Sequence, residues 1–433
     1  MPPRLSRGGA AGSSMSERAY RERLEADLAR WQAEGLLPPK SADAIRATLR
    51  PVPEAITIAT VVAIVGALLI AAAFLAFIAA NWTAIARPLR FAILLAGIVG
   101  AYSAAAVLDR AERDHLADLS VGVGSIIFGA AIALVGQMYH LGEDFAGGLL
   151  LWASGALAAA VLTGSHSALA VALVAGCIWS GMRVDEMSNV HPQFAILWLV
   201  GAALALAWQT TAARHLVAVA AIAGAILAAV GVAQARIANP TFTFNAIAGF
   251  MIGGGLVLTT RASASERAFG LTLSTYGAFG LAIGLAATVA EIFRPLTGSL
   301  PYPILGTGVA ASVLAFAAAF ITGRAGPALA GISVTLALIV ASGLIPTAAA
   351  EDPWLSYALA LSAMLCLVVS GMLDDVRPRV VAGWLGLAAA IAAITWAVRG
   401  SLLRRAVFLA VSGLVAVALA SLLGRLIGRE RRR

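Results

Sequence analysis

Long stretches without any charged side chain are the feature that most restricts how this chain can fold. Asp, Glu, Lys and Arg are absent from residues 55–86, 91–108, 119–142, 237–260, 268–290 and 325–350. Each stretch supplies the roughly 17–25 residues that a helix needs to cross a bilayer. The stretches lack the alternation of apolar and polar residues that is typical of membrane strands. The sequence therefore predicts an all-α, polytopic transmembrane bundle.

Composition supports the same class of protein. The chain has 433 residues, of which 61% are hydrophobic and 12% are charged, whereas soluble proteins carry about a quarter charged residues. The polar side chains are therefore too few to cover a particle dissolved in water. Both cysteines, Cys177 and Cys366, lie inside apolar runs, so we expect them to be packing residues rather than a disulfide or metal pair. No cofactor and no metal site are predicted.

The apolar region divides into about fourteen predicted spans. Their centres lie near residues 68, 99, 129, 154, 175, 201, 225, 252, 279, 313, 335, 363, 389 and 415. The least distinct boundary lies between the fourth and fifth spans, where TGSHS (163–167) is the only break. Totals of twelve or thirteen spans therefore remain alternatives.

The net charge of +8 is concentrated at the two ends of the chain. Residues 1–50 contain nine basic and six acidic side chains, and residues 425–433 contain five Arg and one Glu. Because positive loops stay inside, both termini are predicted to be cytoplasmic, in the inner (plasma) membrane, with an even number of spans. Arg87 and Arg90 would lie outside and oppose this assignment. Attraction to lipid headgroups explains the basic tails, so no nucleic acid partner is expected.

The ends of the chain outside the membrane are short. Residues 1–15 are predicted to be disordered, residues 16–53 to form a cytosolic helical hairpin, and residues 426–433 to be a basic cytosolic tail. Ser16 and Ser41 are the expected N-caps of the two hairpin helices, and Gly35 ends the first. An apolar stripe marks the first helix: Tyr20, Leu24, Leu28 and Trp31. The hairpin either packs on the chain itself or docks another membrane protein.

The stretch GAAIALVGQMYHLGEDF (129–145) gathers polar residues at the end of the third span. Ser125, Gly129, Ala133 and Gln137 recur every four residues, so they share one helix face. Such a row of small residues predicts that a neighbouring helix approaches closely. If the helix stops near Gly142, the aspartate that follows in GEDF becomes the N-cap of the fourth span.

Two interpretations of these polar residues remain. In the first, they bridge helices, anchor at the headgroups and cap a helix. In the second, they line an outward-facing binding pocket together with the Asn-Trp pair that ends the first span. A metal site is disfavoured, because zinc needs three or four ligands. No catalytic residue is predicted, and the candidate binding residues are Asn81, Trp82, Arg87, Gln137, Tyr139, His140, Glu143 and Asp144.

Other polar groups give weaker signals. Asp374 and Asp375 resemble the acidic pairs of metal-dependent enzymes, but they lie in DDVRPR and are predicted to form a solvated loop. Asn245 is expected to face water or a neighbouring helix. Gly253, Gly284 and their neighbouring glycines are predicted to be packing residues, since no phosphate-binding fingerprint surrounds them.

Three motifs carry a resemblance to a known family. They are FIAANWTAIARPLR (77–90), FGAAIALVGQMYHLGEDF (128–145) and LLWASGAL (150–157). With the preceding hairpin, they resemble bacterial membrane proteins of the domain-of-unknown-function 2157 family over about residues 16–165. The resemblance implies an inner-membrane protein without an assigned activity. Residues 54–165 then hold the family-like first four spans, and residues 166–425 hold the further spans.

Three classes of function fit these observations. A transporter or flippase-like carrier of an amphiphilic or lipidic solute is favoured by the many spans and the small soluble part. The alternative is a non-catalytic membrane scaffold or regulatory subunit, which the hairpin favours. A lipid-linked transferase is the least favoured, because NWTAIARPLR contains no acidic residue, although GEDF does. An enzyme is thus not the expected class.

Overall fold

The computed structural model describes residues 17–48, 85–139, 144–187, 192–290, 302–344 and 354–397, with isolated helical positions between 62 and 76. Throughout these residues the regular secondary structure is α-helix, which confirms the all-α prediction. The chain divides into one unit before residue 67 and a second unit after it, and each is described by itself.

The first unit contains two helices, α1 (Glu17–Ala33) and α2 (Pro39–Thr48). Gly35 has φ +69°, and the N–H of Leu36 donates to the carbonyl of Trp31 at 2.9 Å. This is a Schellman-type ending, which requires a residue that tolerates positive φ. The predicted end of the first helix at Gly35 is confirmed. The predicted cap at Ser41 is wrong, because α2 already begins at Pro39, where the fixed φ of proline suits the first helical position.

Burial within these helices follows the apolar stripe of α1. Leu28 and, on α2, Ala42 have no exposed surface, whereas Leu24 and Trp31 are half-buried. The description does not extend to the side chain of Tyr20. The arrangement of the two helices as a cytosolic hairpin stays a prediction.

Twelve helices of 17 to 26 residues form most of the described part of the second unit. They are α3 (Arg87–Arg110), α4 (Asp114–Tyr139), α5 (Phe145–Thr163), α6 (His166–Met187), α7 (Pro192–Trp208), α8 (Thr211–Gln234), α9 (Pro240–Thr259), α10 (Ala264–Val289), α11 (Tyr302–Thr322), α12 (Ala325–Ala341), α13 (Trp354–Leu373) and α14 (Arg377–Ala397). Ten of them are long and apolar enough to cross a membrane, and α7 and α12 are shorter apolar helices. Each contains one predicted centre between 99 and 389. The first predicted span is described only at isolated positions and the last lies outside the described residues, so the total of about fourteen stays a prediction.

These helices are joined in pairs by short connections. Two to four residues separate α3 from α4, α5 from α6, α7 from α8, α9 from α10, α11 from α12, and α13 from α14. The break predicted within TGSHS is confirmed, since α5 ends at Thr163 and α6 begins at His166. If every helix crosses the membrane, all these connections lie on one side, which we call the short-connection side. Left-handed residues, with φ between 56° and 69°, turn most of these connections: Glu112, Gly164, Gln209, Gly323 and Asp375.

Polar contacts tie neighbouring connections on this side together. The carboxylate of Asp118 on α4 accepts hydrogen bonds from the hydroxyls of Ser165 and Ser167 at 2.6 and 2.5 Å. His166 Nε2 and Thr210 Oγ1 lie 2.7 Å apart, which links α6 to the start of α8. The first turns of α6 and α8 are thereby held to each other and to α4, and the otherwise unpaired polar groups at the helix ends gain partners.

A buried ion pair performs the same task for α12, α13 and α14. Arg379 Nη1 lies 2.5 Å from Asp374 Oδ2, with the two side chains only 2% and 10% exposed. The same nitrogen donates to Ser370 Oγ at 3.1 Å, and that hydroxyl donates to the Gly326 carbonyl at 2.7 Å. The solvated loop predicted for this acidic pair is wrong for Asp374. The left-handed residue Asp375 reverses the chain, so α14 returns over the end of α13 and brings Arg379 to the carboxylate.

Close contacts between backbones place α9 and α10 at the centre of the bundle. A Cβ added to Gly255 would lie 2.6 Å from the Gly270 carbonyl, and one added to Gly253 would lie 2.7 Å from the Ala311 carbonyl. The predicted packing role of these glycines is confirmed. Asn245 is fully buried, and a Cβ at Gly284 would lie 2.6 Å from its Oδ1. Of the two surroundings predicted for Asn245, the neighbouring helix is correct.

The row of small residues on α4 receives α5. The indole N–H of Trp152 donates to the Ser125 carbonyl at 2.8 Å, and its ring occupies the space that a side chain at Gly129 would need. Reciprocally, the Phe128 ring fills the space beside Gly155. The close approach that the spacing predicted is confirmed. The gap left by the glycine is filled by an aromatic ring rather than by a second backbone.

The buried ion pair predicts a local difference in stability. Asp374→Asn leaves the Arg379 charge buried without its counter-charge, and losing one partner of such a pair costs on the order of 3 kcal/mol. The exposed neighbour allows a matched control, because Asp375→Asn keeps a residue that tolerates positive φ. We expect a clearly lower melting temperature for Asp374→Asn than for Asp375→Asn, measured by tryptophan fluorescence in nanodiscs. Equal melting temperatures would contradict the role assigned to the pair.

Candidate functional site

The sequence-predicted site residues are only partly covered by the structure. Asn81, Trp82, His140 and Glu143 lie outside the described residues, and the description of Tyr139 is limited to its place as the last residue of α4. Two further candidates are exposed at helix ends: Arg87 in the first turn of α3 and Gln137 in the last turn of α4. The pocket that these residues were predicted to line stays a prediction.

Asp144 is the candidate whose contacts are defined most fully. Its Oδ1 accepts a hydrogen bond from the Gly147 N–H at 2.9 Å, so the predicted N-cap of the fourth span is confirmed. The same carboxylate pairs with Arg183 near the end of α6, with Nη2 at 2.7 and 2.8 Å from its two oxygens. The ion pair thus joins the start of α5 to the end of α6.

The Asp144 carboxylate of this pair is ionised at neutral pH and exposed to solvent. The Gly147 N–H and the Arg183 guanidinium lower the pKa of Asp144, so its carboxylate stays ionised. The Asp144 side chain is 59% exposed and that of Arg183 is 19% exposed. Water therefore screens the Asp144 end of the pair more than the Arg183 end, which is largely shielded.

An apolar cavity lies between α6, α7, α8 and α9. Its volume is about 310 Å³, and we call it the α6–α9 cavity. Its lining is aliphatic and aromatic apart from the Ser180 hydroxyl and the indole N–H of Trp198. Gly224 makes room for one wall, since a Cβ there would lie 2.5 Å from the Phe194 ring. Other lining residues are Val184, Ala225, Ala228 and Ile247.

The cavity lies in the half of the bundle away from the short-connection side. On α6 it is lined by Ser180 and Val184 near the end of the helix, and on α7 by Phe194 near the start. Arg183 is flanked on α6 by these two α6 lining residues. Arg183 is not itself a lining residue, and its guanidinium contacts Asp144 at the start of α5.

Sequence reasoning missed both Arg183 and the cavity. A signal for Arg183 was present, because it is the one charged residue between His166 and Val184, an apolar span where a lone charge deserves a functional hypothesis. The cavity has no such signal. Its walls are mostly Ala, Gly, Val, Leu, Ile and aromatic residues, which are common throughout the apolar spans.

Potential metal ligands do not gather in the described residues. No group of three or more His, Cys, Asp or Glu side chains lies together within them. Cys177 and Cys366 are half-buried and free of disulfide bonds.

Comparison with known proteins gives one finding. Residues 29–169 match a family model described as "Predicted membrane protein (DUF2157)", whereas no curated protein and no solved structure matches the chain. The matched region covers the three motifs that carried the resemblance and extends from α1 into the start of α6. The resemblance is confirmed over these residues, and the segment 29–169 is similar to the predicted membrane proteins of the DUF2157 family.

Proposed function

We propose that this protein binds an amphiphile with one apolar chain and an anionic head, and carries it across the membrane. The observation that supports the proposal is the apolar α6–α9 cavity, whose α6 wall is formed by Ser180 and Val184, the two residues between which Arg183 lies in the sequence. Its volume of about 310 Å³ is at the lower end of the roughly 300–1,000 Å³ of ligand pockets, which suits one chain better than two.

The polarity of the cavity selects the class of solute. A hydrophilic solute would lose its hydrogen bonds to water against this apolar lining, whereas an alkyl chain gains about 25 cal/mol per Å² of buried surface. The lining residue Ala195 is exposed on the outside of the bundle, so a chain can enter sideways from the bilayer. In this proposal the anionic head replaces the exposed Asp144 carboxylate and pairs with the Arg183 guanidinium.

The distribution of arginine supports a proposed orientation in the inner membrane. Near the short-connection side the described residues include Arg110, Arg113, Arg214, Arg261, Arg267, Arg324, Arg377 and Arg379. Near the opposite side they include Arg87, Arg90, Arg183 and Arg236. By the positive-inside rule the short-connection side is cytoplasmic. One further span at each end would then place both termini in the cytoplasm, and the cavity would lie in the outer half.

Reporter fusions test this orientation. A reporter that is active only outside the cytoplasm should be inactive when it follows Gly323, in a short connection, and active when it follows Arg236, on the opposite side. Fusion after Arg433 should also be inactive. The reversed pattern would contradict the orientation, and expression of each fusion is checked by immunoblotting.

Filling the cavity tests the binding site. Ala228→Phe places a ring inside the α6–α9 cavity, so we expect the affinity for a fluorescent fatty acid to fall at least about tenfold, or about 1.4 kcal/mol. Ala203→Phe on α7 is the matched control, because Ala203 is exposed on the outside of the bundle and does not line the cavity. Equal affinity in the two variants, with both folded by size-exclusion chromatography, would remove the cavity as the site.

Charge recognition is tested with a matched pair of ligands. Arg183→Gln should weaken binding of a fatty acid about two- to fivefold, the range expected for an exposed ion pair, and leave a fatty alcohol of equal length unaffected. Asp144→Asn should have the opposite effect on the acid, because it removes the competing carboxylate. If the acid and the alcohol respond alike to Arg183→Gln, the guanidinium does not bind the head.

A further inference from the structure

The indole of Trp198 forms the inner end of the α6–α9 cavity. Of the lining residues, Trp198 on α7 and Ala221 on α8 are the closest along their helices to the short-connection side. The indole N–H donates to the Val217 carbonyl, one turn further inward on α8, at 2.8 Å. The ring therefore lies across the end of the cavity and is attached to the opposite helix.

On the short-connection side of the Trp198 indole, the helices are in direct contact. A Cβ at Gly201, almost one turn further along α7, would be 3.5 Å from Val217 and 3.6 Å from Leu173, which is ordinary contact distance. Val217 and Leu169 are fully buried, and Leu173 is 4% exposed. Beyond them the hydrogen bond between His166 and Thr210 joins α6 to α8. A chain that enters from the outer half therefore ends at Trp198.

We infer that Trp198 determines specificity by limiting the length of the apolar chain that the α6–α9 cavity accepts. This inference rests on the proposed function and deepens it, since it names the ligand as a single-chain anionic amphiphile held end-on. Once the chain touches the indole, each additional methylene has no cavity wall to pack against and must remain outside the cavity. Affinity therefore rises with chain length up to a limit and then stops rising.

The hydrogen bond of the indole makes this limit sharp. Trp buries a large rigid ring, and its N–H needs a partner when it is buried. The Val217 carbonyl supplies that partner and fixes the ring plane, whereas a ring without this bond can rotate and yield. Trp198→Phe should therefore keep most of the barrier but give a less sharp limit, and Trp198→Ala should remove the barrier.

The test measures affinity for straight-chain fatty acids of increasing length, by isothermal titration with protein in nanodiscs. In wild type the affinity should stop rising at a defined length. Trp198→Ala should move that limit to chains several carbons longer, and Ala221→Leu, which fills the same end, should move it to shorter chains. Trp208→Ala is the matched control, because Trp208 lies on the same helix outside the cavity, and its limit should equal that of wild type. Lysophospholipids with the same chains, measured in parallel, distinguish a membrane lipid from a free acid as the source.

The outcomes separate this inference from the proposed function. If wild type binds fatty acids and Ala228→Phe prevents it, an unchanged limit in both Trp198→Ala and Ala221→Leu overturns the role of Trp198 and leaves the carrier proposal intact. If wild type binds no chain, or Ala228→Phe has no effect on binding, the proposed function itself fails. Should Trp198→Ala not fold, Ala221→Leu and Trp198→Phe still decide the question.

Discussion

Polar groups within and at the ends of membrane helices must find partners inside the protein, and this constraint organises the described bundle. A short connection leaves few residues to satisfy the last carbonyls of one helix and the first amides of the next. Here neighbouring helices supply the partners. The Asp118 carboxylate on α4 accepts a hydrogen bond at the start of α6, and His166 on α6 contacts Thr210 before α8. The helical pairs are thereby held together at one side. The other side has the longer segments between helices, and the cavity lies towards it.

The buried Arg379–Asp374 pair extends the same principle to charge. Burying either charge alone would destabilise the fold. The pair therefore stabilises it only when both residues are present with the Ser370 hydroxyl. The pair fixes how α14 returns along α13. Because α14 also contacts α10, this placement reaches the central helices.

Local patterns predicted local structure well and distant contacts poorly. Charge-free runs located the spans, Gly35 ended α1, and Asp144 capped α5, because each of these features depends on residues in one continuous stretch of sequence. The burial of Asp374 could not be read in this way. It depends on Asp375 adopting positive φ, which brings back a residue of the next helix. Arg183 likewise gains its role from a carboxylate on α5, thirty-nine positions earlier in the chain.

The position of the candidate site relative to the family segment is informative. Asp144 lies inside residues 29–169, whereas Arg183 and the α6–α9 cavity lie beyond them. The family segment thus contributes the carboxylate that holds the guanidinium, and the later helices contribute the apolar space. The ion pair is one of several links between α5 and α6, because Ala146 and Leu149 on α5 also share a buried apolar cluster with Trp179 on α6. Apolar packing therefore holds these two helices together, and the Asp144–Arg183 pair adds a fixed position for the guanidinium at their ends.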